Sequence, residues 1–356
     1  MKDNAEKILT SAPNPPSSQG FQMPAEWSPH DATWLAWPHN QETWPGKRLA
    51  KVEEIYLQML EALLANEKVH LLVEDEGQGE AVLKRLQKMG IGTKNLIPHP
   101  VPTADAWIRD YGPTFLTDRK GGKAWCKWIF NAWGEKYENL KEDRGVFERA
   151  ASLIPHPCFR AEIVLEGGSV EVNGAGTCLV TEQCLLNPNR NPRLSRLDIE
   201  QCLRDFLGVS QIIWLGKGIV GDDTDGHIDD IARFVSSDTI LVGFEENEPD
   251  ENSSILRGNW ERLKAAEDLK QRKWNLVKLP MPGPVVGEGV RLPASYANFY
   301  IANEVVLLPV FKHSHDKRAV KILKEVFFRR EVIPIDCRAL VYGLGALHCV
   351  TQQEPA

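Results

Sequence analysis

Leu347-His348-Cys349-Val350-Thr351-Gln352-Gln353 lies at the end of a chain of 356 residues and sets a cysteine beside a histidine. Upstream of Cys349 three polar motifs recur, Gly226-His227-Ile228-Asp229, Glu166-Gly167-Gly168 and Trp107-Ile108-Arg109-Asp110. The steps from Asp110 to Glu166 and from Glu166 to His227 are each roughly 60 residues, and the step on to Cys349 is about twice that. Such a period implies repeated modules, each sending one polar group to a shared centre.

The chain between the motifs has the matching form. Strand-like runs at 112–117 and 124–130 flank a Lys-Gly-Gly turn, and a helical pattern at 143–154 and a strand at 159–165 follow. The order restarts with strands at 169–172 and 177–181 around Asn173-Gly174-Ala175-Gly176, a helix at 195–206 whose Ser195 and Asp198 are spaced as a cap pair, and a strand at 211–215. It restarts again at 228–279, with a helix at 252–271, and at 296–335. Residues 346–351 then supply the first strand of a fifth unit, whose missing strand, helix and strand are found at 33–73. The expected fold is α/β: a five-bladed, pseudo-fivefold αβ propeller of repeated ββαβ units, with both chain ends in one unit. Asp110, Glu166, His227 and Cys349 would sit just before or within the first strand of their units and face the axis. The competing architecture is an ordinary α+β protein whose polar residues merely follow turns.

Residues 1–20, polar and rich in Pro and Ser, read as a flexible leader to a single domain over 21–356. Hydrophobic residues are 42% of the chain and charged residues 26%, enough apolar material for a buried core. A net charge of −7 argues against nucleic acid or an anionic membrane as the main partner and favours a cationic ligand. No apolar run has the length of a signal peptide or a membrane span, so a cytoplasmic protein is expected. Seven cysteines without C-x-x-C spacing disfavour a disulfide framework and a structural zinc site. The six other than Cys349 lie mostly in apolar runs and read as buried, inert thiols. No metal site is expected: His313 and His315, ahead of Asp316, read as a surface loop before a helix cap.

A cysteine thiolate attacks an electron-poor carbon, and a histidine elsewhere in the fold moves the protons. Carboxylates at the same centre would repel the oxyanion of amide hydrolysis, so a papain-like protease is disfavoured. They suit a cationic electrophile: a guanidinium held bidentately by Asp110 and Asp229 would present its central carbon to Cys349. His227 and Asp229, two apart on an expected strand, would share one face. His227 could then protonate departing ammonia and deprotonate the water that resolves a thiouronium on Cys349. Glu166, followed by two glycines that permit close backbone approach, would orient His227 and keep it basic. Each residue also has a plainer reading: Asp110 as a salt bridge to Arg109, Asp229 as a solvated strand end, Glu166 as a turn cap.

The strings Trp107-Ile-Arg-Asp-Tyr-Gly-Pro113, Glu166-Gly-Gly-Ser169, Asn187-Pro-Asn-Arg-Asn-Pro192, Asp223-Thr-Asp-Gly-His-Ile-Asp229 and His348-Cys-Val-Thr-Gln-Gln353 resemble those of the agmatine deiminases. This is the branch often labelled peptidylarginine deiminase within the guanidine-modifying pentein superfamily, and the resemblance runs over residues 21–353. It implies the five-bladed αβ propeller, Cys349 as nucleophile, His227 as acid and base, Asp110 and Asp229 as guanidinium ligands, and no cofactor. It further implies Trp107 beside the methylene stem of agmatine and Asp223 near its distal ammonium, with N-carbamoylputrescine and ammonia as products. The family's approach to the cysteine has the form G-G-G-x-I-H-C, whereas this chain reads Gly343-Leu344-Gly345-Ala346-Leu347-His348-Cys349, so Leu344 and Ala346 reshape the wall beside the nucleophile. Two rivals stay open: deimination of free or peptidyl arginine, and a non-catalytic propeller that binds guanidinium groups or proteins. The acids Asp222, Asp223 and Asp225 favour agmatine over the first. A homodimer is the one macromolecular partnership left open.

Overall fold

The computed structural model describes residues 14–356, so most of the expected leader lies outside the described residues. From Pro16 the chain makes a 3-10 turn, Pro16–Gln19, with the Pro16 ring buried, and Gln22 then bridges to Thr117. In chain order the strands are β1 (His30–Ala36), β2 (Lys68–Val73), β3 (Leu96–Pro100), β4 (Thr114–Thr117), β5 (Lys123–Ile129), β6 (Cys158–Val164), β7 (Glu171–Val172), β8 (Thr177–Thr181), β9 (Gln211–Leu215), β10 (Ala232–Phe234), β11 (Thr239–Phe244), β12 (Asn275–Pro280), β13 (Val286–Gly287), β14 (Val290–Arg291), β15 (Tyr300–Ile301), β16 (Val305–Val310), β17 (Glu331–Asp336) and β18 (Gln352–Pro355).

Five of the sheets share one logic. In β4-β5-β6, β7-β8-β9, β10-β11-β12 and β15-β16-β17 the first pair is antiparallel and the second parallel, as a hairpin followed by a crossover requires. The fifth, β18-β1-β2-β3, obeys the same rule across the chain ends: β18 pairs antiparallel with β1, and β1 runs parallel to β2 behind helix Arg48–Leu64. Its extra strand β3 follows helix Glu76–Lys88. Among the described residues the sheets are hydrogen-bonded separately, with no closed ring of strands.

Local chemistry explains the crossovers. Helix Arg196–Leu207 starts at the expected capping box, where Ser195 and Asp198 satisfy each other's backbone N–H, and turns its apolar face, Ile199, Leu203 and Phe206, into the core. Two expectations change. The helix at 143–154 is instead a chain of short turns, Glu138–Gly145, Val146–Arg149 and Ala151–Leu153. Its first residue is engaged elsewhere: the buried Asp143 carboxylate accepts the N–H groups of Ala104 (2.6 Å) and Asp105 (3.0 Å). The helix expected at 252–271 spans Glu251–Ala265, because the chain then folds back through an isolated bridge between Glu267 and Lys273.

A buried ionic network ties the units together. Arg233, fully buried in the middle of β10, donates to Glu171 of β7 (2.9 Å), to Glu26 (2.8 Å) and to the carbonyls of Ala297 (3.1 Å) and Phe299 (2.6 Å) ahead of β15. Glu26 also meets His348 Nε2 at 2.8 Å, and Arg109 donates to Gln353 of β18 (2.8 Å) and to the His348 carbonyl (3.2 Å). Burial alone would push the Glu26 carboxyl up, but Arg233 and His348 hold it well below the ordinary range.

Candidate active site

Each motif residue stands at a turn just before the first strand of its unit. Asp110 lies in the helical turn Ile108–Tyr111 before β4, Glu166 before the 3-10 turn Gly167–Ser169 and β7, and His227 before the 3-10 turn Ile228–Asp230 and β10. Cys349 belongs to the turn before β18, which starts at Gln352 and not within 346–351 as expected. His227 and Asp229 are therefore not on a strand. Both nevertheless approach Gly168, where a Cβ would lie 2.6 Å from His227 Nδ1 and 3.2 Å from Asp229 Oδ2.

Asp110 and Cys349 line a cavity of about 450 Å³ together with Trp107, Trp133, Asp223 and Leu344, whereas Glu166, His227 and Asp229 are outside its lining. The Cys349 sulfur is 3.8 Å from Asp229 Oδ2. Burial, and then the charges of Asp229, Asp230 and Asp110, push its thiol well above the ordinary range. Asp110 accepts the Gly168 N–H at Oδ1 (2.9 Å) and the Trp133 indole N–H at Oδ2 (2.9 Å). Its salt bridge to Arg109 does not form, since that guanidinium turns to Gln353 and the His348 carbonyl. Asp229 is fully buried rather than solvated: Oδ2 contacts His348 Nδ1 at 2.7 Å and Oδ1 has no partner, leaving one oxygen for a ligand.

His227 stands between two carboxylates, Nδ1 3.8 Å from Asp110 and Nε2 3.9 Å from Glu166. Burial disfavours the imidazolium, but Asp110, with Cys184 and Glu166, outweighs it and holds the pKa well above the ordinary value. Glu166 presents one oxygen to Arg190 Nε (2.7 Å) and leaves the other towards His227. Gly168 is required by contact: a Cβ there would lie 2.6 Å from His227 Nδ1 and 2.9 Å from Asp110 Oδ1.

Of the three acids in the 222–225 loop, only Asp223 lines the cavity. Asp222 shapes the loop by accepting from Thr224 (2.8 Å) and from the His227 N–H (3.0 Å), while Asp225 pairs with Arg190 (2.7 Å) and Lys136 (2.9 Å). Burial pushes the Asp223 carboxyl up to about 6 although the Tyr137 hydroxyl donates to it. Trp107 is buried against Trp44 and lines the cavity as expected. Leu344 adopts φ 72 and ψ 24, the left-handed region that favours glycine, and lines the cavity.

Several neighbours of the cysteine escaped the sequence reading. Asn298, just before β15, places Nδ2 3.2 Å from the Cys349 sulfur and accepts the His348 N–H at 3.0 Å. It fills the unit left blank by the doubled last interval, which was the signal that could have found it. Trp133 and Asp230 had no such signal, and Arg190 stood inside a quoted motif without a role. The cysteines also divide differently from expectation: Cys158 is exposed, and Cys184 is buried beside His227 and Glu166.

Repeated units that deliver a thiol, an imidazole and carboxylates to one buried centre place the chain among the α/β enzymes. It belongs to the Porphyromonas-type peptidyl-arginine deiminase family, whose model matches residues 22–355. It is 38% identical over 343 residues, 96% of each chain, to a Legionella pneumophila protein provisionally named agmatine deiminase. The agmatine deiminase of Enterococcus faecalis superposes with a TM-score of 0.89 at 30% identity, over 96% of this chain and 98% of that one. A substrate-bound Cys-to-Ser form of C. jejuni agmatine deiminase does so with a TM-score of 0.84 at 31% identity, over 94% and 96%.

Proposed function

We propose that this protein hydrolyses agmatine to N-carbamoylputrescine and ammonia through a thiouronium on Cys349. The observation that carries the reading is the buried Cys349 thiol beside two carboxylates that pair with no Lys or Arg among the described residues, Asp110 and Asp229, the latter with its Oδ1 free. Only a cationic electrophile relieves that field, and a guanidinium does so while offering N–H forks to both acids. Its arrival lowers the thiol pKa, the thiol proton passes to solvent, and the thiolate adds to the guanidinium carbon.

His227, an imidazolium in the free site, donates its proton to the departing nitrogen, which leaves as ammonia, and the C–S bond remains as a thiouronium. The neutral imidazole then takes a proton from water. The resulting hydroxide adds to the same carbon, and collapse expels the Cys349 sulfur, which takes up the hydroxyl proton as the thiol, and frees the neutral ureido product. Glu166, itself held by Arg190, orients the ring. Asp223 receives the distal ammonium, and Trp107 covers the methylene stem. Free or peptidyl arginine would bring a carboxylate or amide where the described lining has Glu42, Asp223 and Glu288 and no Lys or Arg.

We infer also that residues 21–356 make one catalytic domain and that the five units close into a five-bladed propeller. The β1–β18 pairing and the Arg233 network support that arrangement. No described helix is long and apolar enough to cross a membrane, and the described cysteines are all free, which is in keeping with a cytoplasmic location. The test is ammonia release from agmatine, free arginine and peptidyl arginine in parallel, with product mass. Agmatine should yield a product one dalton heavier than itself, and Cys349→Ser should abolish turnover with the fold retained. Turnover by that variant, or silence on agmatine, overturns the reading.

A further inference from the structure

Behind the His227 ring, on the side away from the cavity, lies a cluster that the deimination chemistry does not fully use. Ligand atoms of Glu166, Cys184 and His227 all lie within 4.8 Å of one another, and all three residues are buried. Two of these atoms, Glu166 Oε2 and His227 Nε2, have no hydrogen-bond partner among the described residues. Orphaned buried polar atoms are uncommon, and a pair 3.9 Å apart with a thiol beside them calls for an occupant. Arg190 already fixes the other Glu166 oxygen at 2.7 Å, so Oε2 is held in place facing the imidazole.

We propose that Glu166, Cys184 and His227 form a binding site for a zinc-like divalent cation that silences the enzyme from behind its histidine. One carboxylate, one thiolate and one neutral imidazole match the O, S and N donors of tetrahedral zinc, with a fourth position for water. They also neutralise the dication, which a buried site needs. Bonds of about 2.0–2.3 Å require the three ligand atoms to close by a few tenths of an ångström to about 1 Å, within reach of side-chain rotation. Binding displaces the Cys184 proton and any proton on Nε2 to solvent.

The consequence for catalysis rests on the proposed function; the binding does not. With Nε2 on the metal, the ring keeps one proton on Nδ1, beside Asp110, and cannot cycle between imidazolium and imidazole. The substrate cavity stays open, so zinc lowers kcat at little change in KM. Zinc caught by Cys349 in the cavity would instead compete with substrate.

The experiment uses the full chain with Cys349→Ala, which removes the cavity thiol, titrated with Zn²⁺ by calorimetry and with Co²⁺ by absorption. One equivalent should bind, with a thiolate-to-cobalt charge-transfer band. Adding Cys184→Ala, or the closer mimic Cys184→Ser, should abolish the band and weaken zinc binding about 10- to 100-fold. Adding Cys158→Ser at the exposed cysteine should leave both unchanged. Absence of the band in Cys349→Ala, or equal binding with and without Cys184, overturns the site. In the wild-type protein, inhibition that raises KM alone overturns the silencing. If agmatine is not turned over, the two binding titrations still decide the site.

Discussion

Cys349 and Asp223 illustrate how one field both restrains and selects. The free thiol is pushed up by burial and by Asp229, Asp230 and Asp110, so it is poorly ionised until a cation arrives. A cationic haloacetamidine should therefore alkylate Cys349 faster than neutral iodoacetamide does, after correction for their rates with a free thiol; equal corrected rates would contradict this field. Asp223, pushed up to about 6 mainly by burial, takes a proton as pH falls through that value and then cannot pair with an ammonium. The kcat/KM for agmatine should show an extra fall below pH about 6 that butylguanidine, lacking the ammonium, does not share. Asp223→Asn should remove that limb. A lost charge-assisted contact of about 1.5–3 kcal/mol corresponds to roughly a 10- to 150-fold rise in KM for agmatine.

The turn that carries Gly167 and Gly168 works by proximity, because its backbone is pressed between Arg109, Asp110 and His227. The Gly168 N–H donates to Asp110 Oδ1 at 2.9 Å, and the missing side chain lets the imidazole lie against the backbone. Gly168→Ala would drive a methyl into His227 Nδ1 and Asp110 Oδ1. Displacing the ring by about 1 Å should lower kcat about 100-fold with circular dichroism unchanged, and steady-state kinetics reads the difference. The loop at 222–229 is held in a similar way by Arg190, which joins Asp225 and the Thr224 carbonyl to Glu166. The loop that bears Asp223 and the carboxylate that faces His227 thus share one guanidinium.

Across the molecule, charge is buried where the units meet, and it is stable only because it is complete. Arg233 compensates Glu26 and Glu171 and ties the carbonyls before β15 to β7 and β10. Arg233→Met would fill much of the volume but strand two buried carboxylates. Breaking such a pair costs about 3–5 kcal/mol, so the urea midpoint should fall accordingly. Replacing Glu26, Glu171 and Arg233 together by apolar residues should be less damaging than the single change, since no charge is then left unpaired. The same network sets the tail: His348 is gripped by Glu26 and Asp229, which positions the adjacent Cys349.

The order of hairpin, helix and strand, the pairing of the two chain ends in one sheet and the places of Asp110, Glu166, His227 and Cys349 were legible in the chain itself. Alternation, capping residues and a repeat near 60 positions are local properties, and a turn before each unit's first strand recurs wherever the unit does. The helix at 143–154 misled because its periodicity was real while Asp143 was committed to backbone N–H groups across the fold. Trp133 on Asp110, Arg190 behind Glu166 and Cys184 behind His227 were decided by the tertiary structure alone. Their partners lie roughly 20 to 45 residues away in sequence, at separations that do not match the repeat, so only the packing of the units, which sets distances between turns, brings them together.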